Sequence, residues 1–306
     1  MITAVLPDRV RPLLDGRLPD WLAVHWWSNP EQLVDLAKQA EIGWFDLHEK
    51  DAPLRAIAAA QGLRWLNTNY AGVDWMPLAD LSARGVQLTC GSGLTAVQVA
   101  EFAVLGMLAV AKDYRAVVRA QDRHEWLAVP PGTRELRGSR ALLLGHGAIG
   151  REIEAMLAGF GVDVVPVGSR STVDWRDQIG SFDWIVLALP GTPDTRNIIG
   201  AAELAGMSDQ AVIVNFARAD CIDQPAMLEA LSHGRIAGAV LDLTDPEPLP
   251  AGHPLWSLPN VHITMHLSGI PTPASQARAA DRFLANCERY RAGQALEATV
   301  DLGRGY

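Results

Sequence analysis

The stretch Arg140-Ala-Leu-Leu-Leu-Gly-His-Gly-Ala-Ile-Gly150 limits what this chain can fold into more than any other. Ala141 to Leu144 form an apolar run of the kind buried in a parallel sheet. Gly145, Gly147 and Gly150 follow in the spacing G-x-G-x-x-G, and Ile149, Ile153, Met156, Leu157 and Phe160 then recur at helical period. Strand, glycine turn and helix in that order make an otherwise common pattern specific. The first glycine permits the tight turn, the second lets backbone approach a pyrophosphate, and the third lets helix and strand pack closely. N–H groups near Ala148 and Ile149 would meet that anion at the favourable end of the helix dipole. A plain βα turn uses the same pattern. The context points to a dinucleotide.

Size and charge narrow the class. With 306 residues, 49% hydrophobic and 20% charged, the chain can build two domains of ordinary size. Its net charge of −9 and lack of a basic block argue against a nucleic-acid surface. The longest apolar run, Phe102 to Ala111, falls well short of the roughly 18 residues of a membrane span. No basic, apolar and small-residue succession marks a secretory leader at the amino terminus. Cys90, Cys221 and Cys287 are scattered, without C-x-x-C spacing, and read as reduced packing residues of a cytoplasmic protein.

Before the glycine motif, Trp21 to Trp26, Ile42 to Leu47, Arg64 to Thr68 and Val86 to Thr89 read as strands. Asn29-Pro30-Glu31 is a helix start, a capping side chain followed by proline in the first turn, and Leu33, Leu36, Ala37 and Ala40 give that helix one apolar face. This βαβα order predicts a first parallel-sheet domain over 1–94. Exposed N–H groups in the turn Asn69 to Asp74 can hold a carboxylate, and a plain turn accounts for the same residues. Ala96 to Ala111 is apolar nearly all round, with Gln98 and Glu101 its only polar residues, so it is expected to be a helix buried between domains or subunits.

Strands at Ala141, Val162 to Val167, Asp183 to Leu189, Ala211 to Ala217, Ala239 to Leu243 and Val261 to Thr264, with helices between them, predict a doubly wound dinucleotide fold over 95–272. Ligands in such sheets sit at the carboxyl ends of the strands. The second strand is followed by Gly168-Ser169-Arg170-Ser171, where an NAD site usually carries an acid for the ribose 2′-OH. Two hydroxyls and a guanidinium suit a 2′-phosphate instead, which favours NADP(H) while leaving NAD(H) open. Arg218, Asp242 with Glu247, and His266 then follow consecutive strands. Singly, each has a dull explanation. Together they mark the edge where a nicotinamide would lie.

Over nearly its whole length the chain resembles the D-isomer-specific 2-hydroxyacid dehydrogenases. The matching pieces are Tyr70-Ala-Gly-Val-Asp74, Val97-Gln-Val-Ala-Glu101, Gly145-His-Gly-Ala-Ile-Gly150, Leu189-Pro-Gly-Thr-Pro-Asp-Thr195, Asn215-Phe-Ala-Arg218, Leu241-Asp-Leu-Thr-Asp-Pro-Glu-Pro248 and Pro254-Leu-Trp256 through Pro259-Asn-Val to His266-Leu-Ser-Gly269. The resemblance implies an Arg–Glu–His catalytic set carried by Arg218, Glu247 and His266. It implies a flavodoxin-like substrate domain closed by the C-terminal segment 273–306, a site in the cleft between domains, and a homodimer through the helix at 96–111. It also implies cofactor contacts from Leu189, Pro190, Thr195, Ala217, Asp242, His266, Ser268 and Gly269. Arg218 would clamp the carboxylate and keto oxygen of a 2-oxo acid, with Tyr70, Ala71 and Gly72 sharing the carboxylate. His266 would give the proton as the ketone becomes an alkoxide, its cation stabilised and its ring oriented by Glu247, with Asp242 behind.

Departures from the family pattern are Gln98 in place of a common Ser or Thr, Ala219 for a common Gly, and Met265 for a common Pro. Glu247 argues against the family's formate dehydrogenases, which carry Gln there. Trp26, Trp27, Tyr70 and Trp256 are candidates for a substrate side-chain pocket, with core packing the competing use of the tryptophans. The expected activity is that of an NADPH-preferring reductase of small 2-oxo acids such as glyoxylate or hydroxypyruvate. Alternatives on the same scaffold are a nucleotide-sensing regulator like the C-terminal-binding corepressors, and oxidation of another small anion such as phosphite.

Overall fold

Eleven strands form two wholly parallel sheets in the computed structural model, which describes residues 1–169 and 171–305. The strands are β1 (Ile2–Pro7), β2 (Leu22–Trp27), β3 (Ile42–Trp44), β4 (Trp65–Asn67), β5 (Gln87–Thr89), β6 (Arg140–Leu144), β7 (Asp163–Val167), β8 (Trp184–Leu187), β9 (Val212–Asn215), β10 (Gly238–Leu241) and β11 (Val261–Ile263). The chain divides into two units, Met1–Thr95 with Pro271–Tyr306, and Ala96–Ile270. The fold is α/β, a flavodoxin-like parallel sheet in one unit and a Rossmann dinucleotide-binding sheet in the other.

The first unit has the strand order β2-β1-β3-β4-β5. Its strands are apolar on both faces because helices cover both. Along β1, Ala4 and Leu6 enter one core and Val5 the other. The strand β1 is absent from the sequence reading, yet it lies between β2 and β3 in the sheet. Its short apolar run ends at Pro7 beside a charged stretch, so no alternation marks it out. Asn29 caps the helix Pro30–Ala37 as expected, its side chain accepting from the Gln32 N–H. The C-terminal helix Pro273–Arg291 belongs to this unit. Its Phe283 is fully buried, with ring centroids 5.1 Å from Trp65 and 5.3 Å from Trp44.

In the second unit the order is β11-β10-β9-β8-β6-β7. Leu142 and Leu144 face one core while Ala141 and Leu143 face the other. The helix Ala96–Ala111 runs over one face so closely that a Cβ on Gly106 would come within 2.4 Å of Val240. One expectation fails here. Helices were expected between all the strands, but no α-helix joins β7 to β8 among the described residues, and β7, paired with β6 alone, is the edge of the sheet. The connecting segment is rich in Ser, Gly and Asp without apolar period, and Trp175 and Ile179 are buried against the sheet where a helix would otherwise pack.

Phe283→Ala should destabilise the protein by about 3–5 kcal/mol, because the cavity would open between two tryptophans that cannot collapse into it. Urea unfolding followed by tryptophan fluorescence measures this, and a change under 1 kcal/mol would contradict the packing described.

Candidate functional site

The glycine motif is built at the switch point of the second sheet, where β6 pairs with β7 on one side and β8 on the other. Gly145 has φ +102°, and a Cβ there would lie 2.3 Å from the Ala188 carbonyl oxygen. A Cβ on Gly150 would lie 2.0 Å from the Gly145 oxygen. Both positions exclude any side chain. Gly147 is different: apart from its immediate chain neighbours, no protein atom lies within 4 Å of where its Cβ would be, and it caps the helix Ala148–Gly159. An open backbone surface at a helix amino terminus, backed by two glycines at contact distance, fits the pyrophosphate of a dinucleotide. Gly145, Gly147, Ala148, Ile149 and Gly150 are the residues that could hold it.

The loop after β7 adjoins this turn, since a Cβ on Gly168 would stand 3.5 Å from that of His146. His146 Nε2 lies 2.6 Å from Glu154 Oε2. Ser169 and Ser171 are exposed, and the Ser171 hydroxyl accepts from the Val173 N–H. Arg170 lies outside the described residues. After β8, the Thr195 hydroxyl donates to the Pro190 oxygen at 2.7 Å and closes the Leu189–Thr195 loop on itself.

The reactive side chains follow β9, β10 and β11, which are neighbours in the sheet. His266 Nδ1 and Glu247 Oε1 are 2.7 Å apart, both side chains roughly half exposed. Behind them Asp242 is buried, and its carboxylate accepts from the Thr264 and Ser268 hydroxyls. Its carbonyl accepts from the His266 N–H at 2.7 Å. Asp242 and Ser268 were expected among the cofactor contacts; their side chains bond each other in the interior and set the His266 loop.

That loop is strained. Met265 and His266 have φ +56° and +57°, a region sparsely used by residues other than glycine. Proline, fixed near −65°, could not occupy position 265 in this conformation. Gln98 secures the far side of the loop by donating to the Ser268 and Ile270 oxygens, each at 2.7 Å. Two departures from the family pattern thus meet in one loop. Arg218 follows β9; its carbonyl accepts from Asn215 Nδ2, and its Nη1 donates to the Ala217 oxygen. A Cβ on Gly191 would come within 3.0 Å of the Arg218 stem. The strand order brings Arg218 to the same sheet end as the Glu247–His266 pair.

In the first unit the turn after β4 is held by residues that sequence reading passed over. Buried Asp46 accepts from the Asn69 N–H at 2.7 Å, the Thr68 hydroxyl at 2.6 Å and the Trp44 indole at 2.9 Å. Burial raises its pKa against the pull of these donors. Gly91 presses so closely that a Cβ would sit 1.9 Å from the Asn69 oxygen. A buried carboxylate among apolar residues was the available signal for Asp46. The N–H groups of Ala71 and Gly72 have no partner among the described residues, and the Tyr70 hydroxyl donates to the Leu47 oxygen. Of the tryptophans, Trp27 is core, its indole donating to the Trp44 oxygen, and Trp256 donates to Pro250. No group of three or more metal-ligating side chains exists among the described residues, and no helix there is long and apolar enough to cross a membrane.

Residues 104–268 match the family model of the D-isomer specific 2-hydroxyacid dehydrogenase NAD binding domain. An uncharacterised protein of Streptomyces coelicolor is 34% identical over 84% of this chain and 97% of its own length. A glycerate dehydrogenase of Methylorubrum extorquens is 29% identical, with 88% of each chain covered. Among solved structures, a D-isomer specific 2-hydroxyacid dehydrogenase family protein of Aeromonas salmonicida superimposes with a TM-score of 0.85 at 28% identity, covering 98% of this chain and 99% of the other.

The three glycines should separate on substitution. Gly150→Ala forces a Cβ into backbone and should lower Tm by several degrees. Gly147→Ala should leave Tm nearly unchanged while weakening dinucleotide binding at least about tenfold by fluorescence titration, because the methyl group occupies the anion's place.

Proposed function

The chain belongs to the D-isomer-specific 2-hydroxyacid dehydrogenases, NAD(P)-dependent oxidoreductases, and on that premise we propose that it reduces small 2-oxo acids of the glyoxylate and hydroxypyruvate kind to D-2-hydroxy acids, with NADPH preferred. The observation that carries the reading is the 2.7 Å pair of His266 and Glu247 at the carboxyl edge of the dinucleotide-binding sheet. When bound, a reduced nicotinamide supplies the hydride. The chain's own residues do the rest.

Arg218 binds the substrate carboxylate and keto oxygen through its planar fork. The Ala71 and Gly72 N–H groups, beside Tyr70, share the carboxylate. His266 releases a proton from Nε2 to the keto oxygen as charge develops there. Glu247, on Nδ1, fixes which nitrogen faces the substrate. Asp242 acts at one remove, through the backbone that holds His266. Leu189, Pro190, Thr195, Ala217 and Gly269 line the loops on which the cofactor would rest. The NADPH preference is supported by Ser169 and Ser171 standing where an acid would read a free ribose, with Arg170 between them in sequence. Buried Cys90, Cys221 and Cys287, none of them in a disulfide, fit a cytoplasmic protein.

A homodimer completes the proposal. The helix Ala96–Ala111 is buried on one side through Ala100, Ala103 and Met107, while Val97 and Leu105 on the other are exposed. Trp126, beyond the next helix, is 97% exposed. Exposed apolar side chains on such a helix are what a second copy of the chain would cover.

His266→Ala should lower kcat by about 10²–10⁴-fold with glyoxylate or hydroxypyruvate and NADPH, while cofactor affinity persists. Arg218→Ala should raise KM and lower kcat together. No turnover of any 2-oxo acid above the Arg218→Ala background would refute the reading, and equal efficiency with NADH and NADPH would refute the cofactor preference. Leu105→Asp should shift the protein from dimer to monomer in sedimentation equilibrium; a wild-type monomer would remove the proposed interface.

A further inference from the structure

Glu247 lies on a segment that leaves β10 and runs to Leu249, and the backbone there has little of its own to hold it. Among the described residues, 243–249 make no backbone–backbone hydrogen bond. Leu243 and Thr244 are buried and fix the start, while Leu249 packs on the core of the second unit and fixes the end. Asp245, Pro246 and Glu247 between them are exposed. The Thr244 hydroxyl donates to the Pro246 oxygen at 3.3 Å, a bond internal to the segment.

Apart from His266, only Gln224 bonds this stretch from elsewhere among the described residues. Its Oε1 accepts from the Asp245 N–H at 3.0 Å, and its Nε2 donates to the Asp245 carbonyl oxygen. A carboxamide carries donor and acceptor side by side, so one glutamine satisfies both backbone groups of a residue as a strand neighbour would. The helix Gln224–Ser232 does not require that side chain. Asp223 caps it by accepting from the Ala226 N–H, and Pro225 sits in its first turn. The Gln224 side chain is thus committed to the Asp245 backbone, 21 residues away.

Asp245 stands two residues before Glu247, whose carboxylate meets His266 Nδ1 at 2.7 Å. Bonds to both backbone groups of Asp245 set the direction in which the chain approaches that carboxylate. Without them, three exposed residues would pivot between two buried ends. A displacement of about 1 Å near reacting groups can cost about 10²-fold in rate. We propose that Gln224 is a positioning residue for the reaction: by bracing the Asp245 backbone it keeps Glu247 on His266 Nδ1, and so keeps Nε2 turned to the substrate. Gln224 acts through Glu247 and not on the reacting atoms. The proposal rests on the roles given to Glu247 and His266 under Proposed function.

Gln224→Met keeps the length and helix propensity of the side chain and removes both bonds. It should lower kcat about 10- to 100-fold, with NADPH and whichever of glyoxylate and hydroxypyruvate the wild-type protein reduces faster. NADPH affinity by fluorescence titration should not change, and the solvent isotope effect on kcat should grow as proton delivery becomes the slow step. Gln224→Glu, which can still accept from the Asp245 N–H, should fall between. A double-mutant cycle separates positioning from support of the fold. With Glu247→Ala there is no carboxylate left to place, so Gln224→Met should cost nothing further in that background. Equal fractional loss in both backgrounds, or wild-type kcat in Gln224→Met, overturns the proposal while the role of Glu247 stands. Should Gln224→Met fail to fold, the same cycle run with Gln224→Glu decides. Unchanged kcat in Glu247→Ala alone removes the role of Glu247, and the proposal with it.

Discussion

Between the end of β6 and the end of β8 there is room for backbone alone. Gly145 abuts the Ala188 carbonyl and Gly150 abuts Gly145, so the first turn of the following helix rests directly on the sheet. Much of the second unit depends on that contact. It sets the helix axis, and the axis sets where unbonded N–H groups point. Any side chain at either position would lift the helix and spoil the anion surface at Gly147. The chemistry proposed for the protein starts from a steric restriction.

The proton-transfer pair shows a second economy. His266 and Glu247 are both accessible, yet neither is loose, because the strained backbone at 265 and 266 is tied to β10 through Asp242 and to the long helix through Gln98. An exposed imidazole on a relaxed loop would sample many orientations. Here strain and hydrogen bonds together leave few.

What could be read from the sequence, and what could not, follows the range of the interactions. The parallel α/β architecture was legible because buried strands and amphipathic helices write their period locally: the helix at 96–111 and the cap at Asn29 stand where the pattern puts them. The pairing of His266 with Glu247 was legible through family resemblance, from residues 19 apart. β1 was not, because a six-residue run ending in proline has no local mark of its central place in the sheet. That no α-helix joins β7 to β8 among the described residues was masked by the strength of the general pattern. Asp46, Gly91 and Lys50 act across 20 residues or more on the Asn69 turn, and a one-dimensional reading has no term for such contacts.

The first unit is assembled from both ends of the chain, with Phe283 wedged between Trp44 and Trp65. During translation this imposes an order. Residues 96–270 are contiguous and can close their own core as they leave the ribosome. The sheet made earlier must wait for helix Pro273–Arg291, its tryptophans meanwhile bare to solvent. Residues 1–95 therefore complete their core only once 271–306 have followed the whole of 96–270, and until then Trp44 and Trp65 lack the Phe283 ring that seals them.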